Sequence, residues 1–486
     1  MQDTLLNATN KFLPIKASSF NTDDSPWVTS QIKTDIRKRQ REYRKHRRSD
    51  KWSTLNDKVK ELIKNAKGKY YKNVVADLKE SNDGQWYSKL KKISSFDKHL
   101  QEPIIVSEIS EYTDQEQADL ISDKFSKISN EYDAIKTSDI KIPFFTQESI
   151  PHITHKKVEI TLKQLKTKVS TVSGDIPAKV LKSLAKSISR PLANILNSCI
   201  KNGEWPDIWK EEAVTPIPKV HPLVEIEDLR NISGLKNLNK VAEKIFAEMM
   251  LSDMKDSLDK SQFGNQKNVS IQHYLVKFVD KILMNLDNNS KGDIFAPLAA
   301  FVDWKQAFNR QDPTLGIESF IKNGVRSSLI PALINYFQGR IMYVKWHKKE
   351  SKRRNLNGGG RQGGTFGIIE YLSQSNTNAN CVANNRRWKW VDDLTILEVI
   401  NLINIGMSSF NIKNQVPNDI NVNKNFLPTE HLETQTNLNQ ISDWTGKQKM
   451  MLNINKTNFM IFNFTTNHQF STRISINEAL LKKKKM

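Results

Sequence analysis

Hydrophobic positions in the first third of the chain recur with the spacing of a helix. Apolar residues between positions 55 and 74 lie mostly three or four apart, which predicts a helix that buries one apolar stripe. They are Leu55, Val59, Leu62, Ile63, Ala66, Tyr70 and Val74. Another helix is predicted over 113–128, within a polar stretch (95–150) whose weak periodicity indicates a linker. Residues 1–150 are therefore predicted to form a helical connector and linker.

From residue 151 onward, predicted strands and helices alternate. Apolar runs at 296–302, 386–391 and 394–399 predict buried strands, and the pair 341–346 and 352–356 predicts a hairpin. The predicted helices are 179–188, 192–201, 238–258, 270–287, 314–323, 328–338 and one that begins near 365. This order indicates an α+β fold with an antiparallel central sheet in a second domain, 151–486.

Two prolines place one more predicted strand at the edge of a sheet. The segment 213–218 has strand character, but Pro216 and Pro218 have no N–H group to donate to a neighbouring strand. A strand of this kind is normally tolerated only where one side is unpaired. We therefore predict an edge strand here.

Positive charge predominates along the chain. Lys and Arg number 74 against 53 Asp and Glu, a formal net charge of +21. Nucleic acid is the leading partner for such a field, with solubility as the plainer explanation. The helical segment 31–48 contains nine basic residues, which either face solvent or contact phosphates. A second basic stretch, 340–354, includes Tyr343 and Trp346 and suits a nucleic-acid backbone with stacked bases, or is simply a solvated hairpin.

Cysteine usage and hydropathy limit the cellular setting. Cys199 and Cys381 are far apart, which excludes a disulfide framework and a cysteine-rich zinc module. The first residues lack the basic and apolar segments of a secretory leader, and no run of about 18 apolar residues occurs. We expect an intracellular protein, in the cytoplasm or the nucleus, that is neither secreted nor inserted in a membrane.

Three aspartates follow or separate the buried strands. Asp392 and Asp393 fall between two apolar runs, where they form either an ordinary turn or a metal site at a hairpin tip. Asp303 ends the apolar run 296–302. If these strands are neighbours, three carboxylates meet at one point of the sheet. Such a group can hold two Mg²⁺ ions about 4 Å apart, with Mn²⁺ as a substitute, for phosphoryl transfer.

Motifs around these aspartates resemble those of a known enzyme family. The segment 301–308 (Phe-Val-Asp-Trp-Lys-Gln-Ala-Phe), the segment 360–364 (Gly-Arg-Gln-Gly-Gly) and the segment 390–393 (Trp-Val-Asp-Asp) occur in this order, with Asp392 lying 89 positions after Asp303. They resemble the palm motifs of reverse transcriptases from non-LTR retrotransposons of the LINE and jockey type. Because three motifs match in register, the resemblance is specific.

Further segments extend the resemblance over roughly 26–462. Segments 209–219 and 228–233 are similar to the fingers of non-LTR enzymes, and Gln262-Phe263-Gly264 resembles another fingers motif. Trp444 and the segment 452–457 resemble the motif that follows the Asp-Asp hairpin. The basic stretch from 26 to 87 resembles the connector between endonuclease and polymerase. The resemblance thus implies a polymerase right hand with fingers and an antiparallel palm sheet, preceded by a basic helical segment.

The resemblance also implies a role for each matching residue. Asp303 and Asp392 would bind two Mg²⁺ ions with support from Asp393, and Lys456 would protonate the departing pyrophosphate. Phe308 would exclude a ribose 2′-hydroxyl. The remaining nucleotide-binding residues implied by the motifs are Lys219, Arg230, Gln362 and Gly363. The implied reaction is RNA-directed DNA synthesis from an RNA template, a DNA primer and deoxynucleoside triphosphates.

The chain departs from the family pattern at several positions. Asn309 replaces a usual Asp, which we expect to be tolerated. Arg361 replaces a usual Pro, and we expect its charge to lie beside the nucleotide and to threaten activity. The thumb is expected to be largely missing, as in a truncated copy. The alternatives are a catalytically dead remnant that only binds RNA and, less consistent with the nucleotide-binding residues, a metal-dependent nuclease.

Overall fold

The computed structural model divides the chain into two compact units. The larger unit comprises Met1–Leu6 and Ile105–Met486, and the smaller comprises Asn7–Ile104. The described residues are 1–13, 25, 27–79, 109–146, 150–167, 172–220, 223–266, 268–287, 295–376, 378, 382–383, 386–401, 424–427, 432–462, 469–477 and 479–483. The predicted boundary near residue 150, between the connector and linker (1–150) and the second domain (151–486), stays a prediction.

Helices and strands alternate through the larger unit. The helices of the whole described chain are α1 Gln2–Phe12, α2 Ser30–His46, α3 Asp50–Lys79, α4 Asp114–Ser129, α5 His155–Lys163, α6 Ala178–Ser183, α7 Ala185–Asn202, α8 Asn237–Asp253, α9 Ile271–Asp287, α10 Pro313–Lys322, α11 Ile330–Phe337, α12 Thr365–Asn376 and α13 Glu433–Lys447. The strands are β1 Glu211–Pro218, β2 Leu229–Gly234, β3 Phe295–Val302, β4 Arg340–Trp346, β5 Lys349–Glu350, β6 Arg354–Leu356, β7 Arg387–Trp390, β8 Asp393–Asn401, β9 Lys424–Leu427, β10 Asn458–Ile461, β11 Gln469–Thr472, β12 Ser475–Ile476, β13 Ala479–Leu480 and β14 Lys482–Lys483. This mixture of helices and several sheets is compatible with the predicted α+β class.

The sheet that bears the acidic residues has the order β14-β10-β3-β8-β7. Its three consecutive pairs β10–β3, β3–β8 and β8–β7 are all antiparallel. The predicted strands around the aspartates are thereby confirmed. Ala296, Leu298 and Ala300 of β3 alternate with residues on the other face and lie in a buried cluster with Ile396 and Phe459. Apolar packing of this face therefore sets the register of the strands.

A second sheet has the order β2-β1-β4-β5, and β6 also pairs with β4. The predicted hairpin at 341–356 is confirmed, since β4 pairs with both β5 and β6. The edge position predicted for β1 is wrong, because β1 pairs with β2 on one side and with β4 on the other. Pairing to β4 covers only residues 211–214, so it stops before Pro216. The half of β1 that contains the prolines pairs with β2 alone.

The largest hydrophobic core lies among the helices of the larger unit. It joins apolar faces of α5, α7, α8, α10 and α11 around Trp205, whose ring contacts Phe246, Tyr336 and Phe366. A smaller core packs α4 against β4. The predicted helix at 113–128 is confirmed as α4, which begins with a capping box between Thr113 and Glu116.

One predicted helix break is displaced. We predicted separate helices at 179–188 and 192–201, interrupted near Pro191, but the break falls at Leu184 and α7 continues through Pro191. A proline inside a helix costs about 3 kcal/mol. Complete burial of Leu192 and Leu196 on the apolar face of α7 offsets that cost. The helix ends as predicted at Gly203, which adopts a left-handed conformation.

The smaller unit contains a helical hairpin. The predicted basic helix is confirmed as α2, and the predicted apolar stripe lies on α3, with Val59 buried. Thr29 caps α2 by accepting a hydrogen bond from the Ile32 amide. The part of the basic stretch 26–87 that follows Lys79 lies outside the described residues.

No described helix is both long enough and apolar enough to cross a lipid bilayer.

Candidate active site

The three predicted acidic residues lie at one end of one sheet. Val302, the last residue of β3, pairs with Leu394 of β8, so Asp303 and Asp393 follow side by side beyond that pair. Trp390 pairs with Asp393, which leaves Val391 and Asp392 as the two-residue tip of the β7–β8 hairpin. Strand register therefore brings together residues that are 89 positions apart.

The aspartates at the hairpin tip affect one another's protonation. Burial, followed by the charge of Asp303, raises the pKa of Asp392 above its ordinary value. Burial, followed by the charges of Asp392 and Asp303, raises the pKa of Asp393. None of the described Lys or Arg residues forms an ion pair with either carboxylate. Negative charge is thus concentrated here, and within the described part of the chain neither carboxylate is paired with a Lys or Arg side chain.

The carboxylates are near one another but do not form a closed coordination shell. Across the described residues, no three or more His, Cys, Asp or Glu side chains are arranged to hold a metal ion as they stand. The donor chemistry does fit Mg²⁺ or Mn²⁺, because carboxylate oxygens are hard ligands. Repulsion between these carboxylates is also what a bound divalent cation would relieve.

Asp303 is held by the segment that follows α13. Its amide donates to Thr457 Oγ1 at 3.1 Å, and its carbonyl accepts from the Asn453 amide at 2.8 Å. The adjacent Lys305 amide donates to the Met451 carbonyl at 2.9 Å. These bonds explain how the predicted motif at 452–457 comes to lie beside β3. They also bring Lys456, within the same turn, to the acidic end of the sheet.

Three predicted cationic residues lie near one another. Lys219 follows β1 and Arg230 belongs to β2, where it pairs with Ile217. Desolvation, followed by the positive charges of Lys456 and Arg230, lowers the pKa of Lys219. Lys219 is held by its amide, which donates to the Asp228 carbonyl at 2.7 Å, and by Nζ, which donates to the Glu227 carbonyl at 2.8 Å. The fold therefore gathers Lys219, Arg230 and Lys456 from separate segments.

The loop that contains Gln362 and Gly363 packs against β2. The Ser233 amide donates to the Gln362 carbonyl at 2.7 Å, and Gln362 Nε2 donates to Asn309 Oδ1 at 2.8 Å. Gly363 has φ of 130°, and a Cβ atom at this position would lie 2.6 Å from the Ser233 carbonyl oxygen. Glycine is required here by both the backbone angle and the space. Asn309 thus positions Gln362 through its side-chain oxygen.

The expectation that Arg361 lies beside the nucleotide is wrong. Its side chain is buried, with Nε 3.2 Å from Glu212 and Nη1 3.7 Å from Glu243. Its guanidinium stacks over Tyr336 at 4.8 Å and donates to the Lys210 carbonyl at 2.5 Å. Two buried carboxylates, which sequence patterns do not reveal as partners, draw the arginine inward. The arginine therefore holds the loop through buried contacts and does not project from its solvent-exposed side.

Phe308 lies close to an aromatic residue that sequence reasoning missed. Its ring centroid is 5.2 Å from that of Tyr371, which belongs to α12. Burial, followed by the charges of Asp392 and Asp393, raises the pKa of Tyr371 well above 10. Tyr371 therefore lies near both Phe308, the ring predicted to contact the sugar, and the acidic tip of the β7–β8 hairpin. An aromatic residue on an apolar helix face gave no signal of this in the sequence.

The basic hairpin does not present stacking rings to solvent. Tyr343 and Trp346 of β4 are 1% and 2% exposed, so bases cannot stack on them. Several of the basic side chains predicted to contact a backbone already face carboxylates. The pairs are Arg340–Glu212, Lys345–Glu350, Arg353–Glu211 and Arg354–Asp123. The two rings lie on opposite faces of β4, and both faces are covered: Trp346 packs in the core with α4, and Tyr343 packs with Val172 and Ala213. Local composition did not reveal this cover.

The motif at Gln262 contacts the acidic hairpin. Gln262 Oε1 accepts from the Val391 amide at 3.0 Å, and Nε2 donates to the Val391 carbonyl at 3.1 Å. Oε1 also accepts from the Gly264 amide at 3.0 Å. Val391 has φ of 57°, in the left-handed region that β-branched residues rarely adopt. The sequence indicated a motif here but not its contact with the tip.

Comparisons with known proteins identify RNA-directed DNA polymerases as the similar class. No family model matches the chain. A probable RNA-directed DNA polymerase from transposon X-element of Drosophila melanogaster is 26% identical over 198 residues, 40% of this chain and 21% of that protein. The RNA-directed DNA polymerase from mobile element jockey of the same organism is 24% identical over 174 residues, 35% of this chain and 18% of that protein.

These similarities confirm the predicted resemblance to reverse transcriptases of non-LTR retrotransposons. The matched part of the chain spans about a fifth of the length of each curated relative.

Proposed function

We propose that this chain is an RNA-directed DNA polymerase that adds deoxynucleotides to a primer 3′-hydroxyl by two-metal phosphoryl transfer. The observation that carries the proposal is the register of β3, β8 and β7, which places Asp303 beside the Asp392–Asp393 tip. In this proposal the sheet β10-β3-β8-β7 is the palm and the β1–β2–β4 sheet belongs to the fingers. Residues 1–150 serve as the connector and 151–486 as the polymerase domain.

The acidic end of the sheet would hold two Mg²⁺ ions, or Mn²⁺ in their place. Bound there, the ions supply Lewis acidity and neutralise charge on the transferring phosphoryl group. Asp303 and Asp392 are the proposed ligands, with Asp393 in support. The Asp303 backbone is fixed by two hydrogen bonds: its amide donates to the Thr457 hydroxyl, and its carbonyl accepts from the Asn453 amide. Such fixation matters because phosphoryl transfer depends on positioning more than on covalent chemistry.

The cationic group suits the triphosphate. Lys219 and Arg230 are proposed to contact phosphate oxygens, Arg230 with a planar fork and Lys219 as a point charge. Lys456 is the proposed acid for the leaving pyrophosphate. Because these three side chains lie near one another, positive charge is concentrated where the triphosphate is proposed to bind. Desolvation lowers the pKa of Lys219 most, and the positive charges of Lys456 and Arg230 lower it further.

The sugar and base would lie between the loop and the aromatic pair. Phe308, whose ring centroid lies 5.2 Å from that of Tyr371, is proposed to exclude a ribose 2′-hydroxyl. Gln362 and Gly363 would line the pocket, and the missing Cβ of Gly363 permits close backbone approach. The proposed partners are an RNA template, a DNA primer and deoxynucleoside triphosphates, and the proposed compartment is the cytoplasm or the nucleus.

Primer extension on an RNA template tests the proposal. The purified chain should extend a labelled DNA primer with Mg²⁺ or Mn²⁺, and Asp392→Asn should lower the rate by at least about 100-fold, since metal-bound charge stabilisation contributes several kcal/mol. Asp280→Asn on α9, an exposed carboxylate remote from the site in sequence, is the matched control. Equal extension by Asp392→Asn and the native chain would overturn the metal assignment.

A second candidate function is RNA binding without catalysis. The open arrangement of the carboxylates, which hold no ready-made metal shell among the described residues, favours it. In this case the native chain and Asp392→Asn would both bind RNA, and neither would extend a primer. Extension by the native chain alone excludes this alternative.

A further inference from the structure

Helices α2 and α3 enclose a cleft within the smaller unit. The cleft has a volume of about 500 Å³. Its lining comes from Arg39, Tyr43, Arg44 and Arg48 on the first helix and its end, with Trp52 and Asn56 from the second. Arg39 and Tyr43 are four residues apart on α2, and Trp52 and Asn56 are four residues apart on α3, so each pair lies on one face of its own helix.

The arginines of the cleft have no acidic partner among the described residues. The two acidic residues of α2 are engaged by lysines: Asp35 lies 3.7 Å from Lys38 and 3.8 Å from Lys58, and Glu42 lies 3.6 Å from Lys51. Arg39 contacts only the neutral amide of Asn56, with Nη1 donating to Oδ1 at 3.3 Å. The guanidinium groups at the cleft therefore keep their positive charge unneutralised.

Two aromatic rings complete the cleft. The centroids of Tyr43 and Trp52 are 5.7 Å apart with planes inclined by 50°. Tyr43 is 46% exposed, in contrast to the buried rings of the β4 hairpin. Guanidinium groups next to accessible rings form the combination that recognises a phosphate together with an unpaired base.

We propose that this cleft binds single-stranded nucleic acid, with a phosphate on Arg44 and Arg48 and an unpaired base against Tyr43 and Trp52. A base in a duplex is already stacked on its neighbours and cannot occupy such a site. The cleft belongs to the smaller unit and shares no residue with the proposed active site. Binding at the cleft does not require polymerase activity.

Binding by the full chain to labelled oligonucleotides tests the cleft. The arms are single-stranded RNA, single-stranded DNA and duplex RNA of equal length, measured by fluorescence anisotropy over a salt series. Arg44→Gln with Arg48→Gln should weaken single-strand binding and reduce the slope of log affinity against log salt by roughly 0.7 for each lost phosphate contact. Trp52→Ala should weaken it by roughly 5- to 100-fold, and Trp52→Phe should retain most of the affinity.

Lys64→Gln with Lys69→Gln on α3 removes the same charge away from the cleft and serves as the matched control. A larger loss of single-strand affinity in the arginine double variant than in this control supports the proposed binding site, whether RNA or DNA binds more tightly. Equal losses of affinity in the arginine and lysine double variants would overturn the proposal, because they would show that binding depends only on surface charge. Equal affinity of the native chain for duplex and single-stranded RNA would overturn it for the same reason. The arginine variants keep the test valid if Trp52→Ala fails to fold.

A second inference follows from the contact between Gln262 and the hairpin tip. A left-handed β-branched residue costs on the order of 1–3 kcal/mol and persists only where its surroundings hold it. Both backbone groups of Val391 are held by the Gln262 amide. Gly264 leaves the necessary room, since a Cβ there would lie 2.3 Å from the Val391 nitrogen.

We infer that Gln262 is a positioning residue that holds the tip so that Asp392 and Asp393 point toward Asp303. The predicted effect on catalysis rests on the proposed polymerase function. The two hydrogen bonds between the Gln262 side chain and the Val391 backbone, here called the clamp, do not depend on that function. Gln262→Met keeps the side-chain volume and removes the hydrogen bonds. Because misplacement of about 1 Å can cost on the order of 100-fold in rate, kcat should fall roughly 10- to 100-fold while KM for the nucleotide changes less than about threefold.

Amide hydrogen exchange makes this test independent of activity. In Gln262→Met the amides of Val391 and Gly264 should exchange faster than in the native chain, with overall thermal stability little changed. Gln272→Met, an exposed glutamine on α9, is the control. Unaltered exchange at Val391 would overturn the clamp. Faster exchange with no polymerase activity in the native chain would retain the clamp and refute the proposed function instead.

Discussion

At the residue scale, burial decides what each charged side chain can do. Arg361 and Glu370 are close in sequence and both buried, yet their situations are opposite. Arg361 faces Glu212 and Glu243, whereas neither carboxylate oxygen of Glu370 has a hydrogen-bond partner within the described residues. A paired buried charge stabilises the fold as long as its partners are present, and an unpaired carboxyl avoids ionising.

Restoring the usual family residue at position 361 is expected to harm the protein. Arg361→Pro leaves Glu212 and Glu243 without their shared cation, which should lower the free energy of unfolding by about 3–5 kcal/mol. Arg361→Lys, which keeps the charge but not the fork, should lose less. Chemical denaturation at neutral pH measures both. A proline variant as stable as the native chain would show that the buried pair contributes nothing.

Glu370 should make stability depend on pH. Burial raises its pKa from 4.5 to about 8, so the folded state retains a proton that the unfolded state releases. The free energy of unfolding should therefore fall, by at most about 1.4 kcal/mol per pH unit, as pH rises from about 4.5 to about 8. Glu370→Gln cannot ionise and should remove this fall. Thermal denaturation of both proteins at several pH values makes the comparison, and identical pH profiles would contradict the prediction.

At the element scale, the ends of β3 and β8 form the site. Each strand is fixed by its apolar face, and the carboxylates extend beyond the last paired residues. The buried, paired parts of the two strands therefore stabilise the sheet, and the residues beyond the last pair carry the negative charge. The β7–β8 tip, held by Gln262, completes the arrangement.

Divalent cations should stabilise these strand ends. Because an ion that binds only the folded state raises its stability, Mn²⁺ at about 100 times its Kd should add about 2.7 kcal/mol and raise Tm by a few degrees. Asp303→Asn combined with Asp392→Asn should lose that rise, and Asp280→Asn should keep it. Differential scanning fluorimetry with and without Mn²⁺ provides the readout. A rise that persists in the double variant would place the ion elsewhere.

At the scale of the whole molecule, the net charge of +21 governs encounters with nucleic acid. If roughly six or more phosphates are contacted, RNA affinity should fall about 1000-fold or more between 50 and 200 mM salt. Filter binding across this range, with a neutral polymer as competitor and heparin as a charged one, measures the dependence. Affinity that is insensitive to salt would indicate that the basic surfaces do not contact the backbone.

Several features could be predicted from sequence because their causes are local. Apolar periodicity located α3, α9 and β3, and the motifs located Asp303, Asp392 and the Gln362–Gly363 loop. Errors arose where the answer depended on a distant neighbour. The strand predicted at 213–218 was assigned to an edge because the sequence does not reveal that β4 pairs with the residues ahead of Pro216. Tyr343 and Trp346 appeared available for stacking because the residues that cover them lie far away in sequence: α4 packs on the face of Trp346, and Val172 and Ala213 pack against Tyr343 on the other face.

The sequence by itself determined which residues are candidates for the proposed chemistry: carboxylates beside apolar strands, glycines within the motifs, and an excess of basic side chains. The tertiary structure decided which of them meet. Register along β3 and β8 brought Asp303 to the hairpin tip, burial turned Arg361 inward to Glu212 and Glu243, and loop packing placed Gln262 on Val391. The physical reason is that hydrophobic periodicity acts over a few residues, whereas electrostatic partners and hydrogen-bond geometry depend on segments that only the folded core brings together.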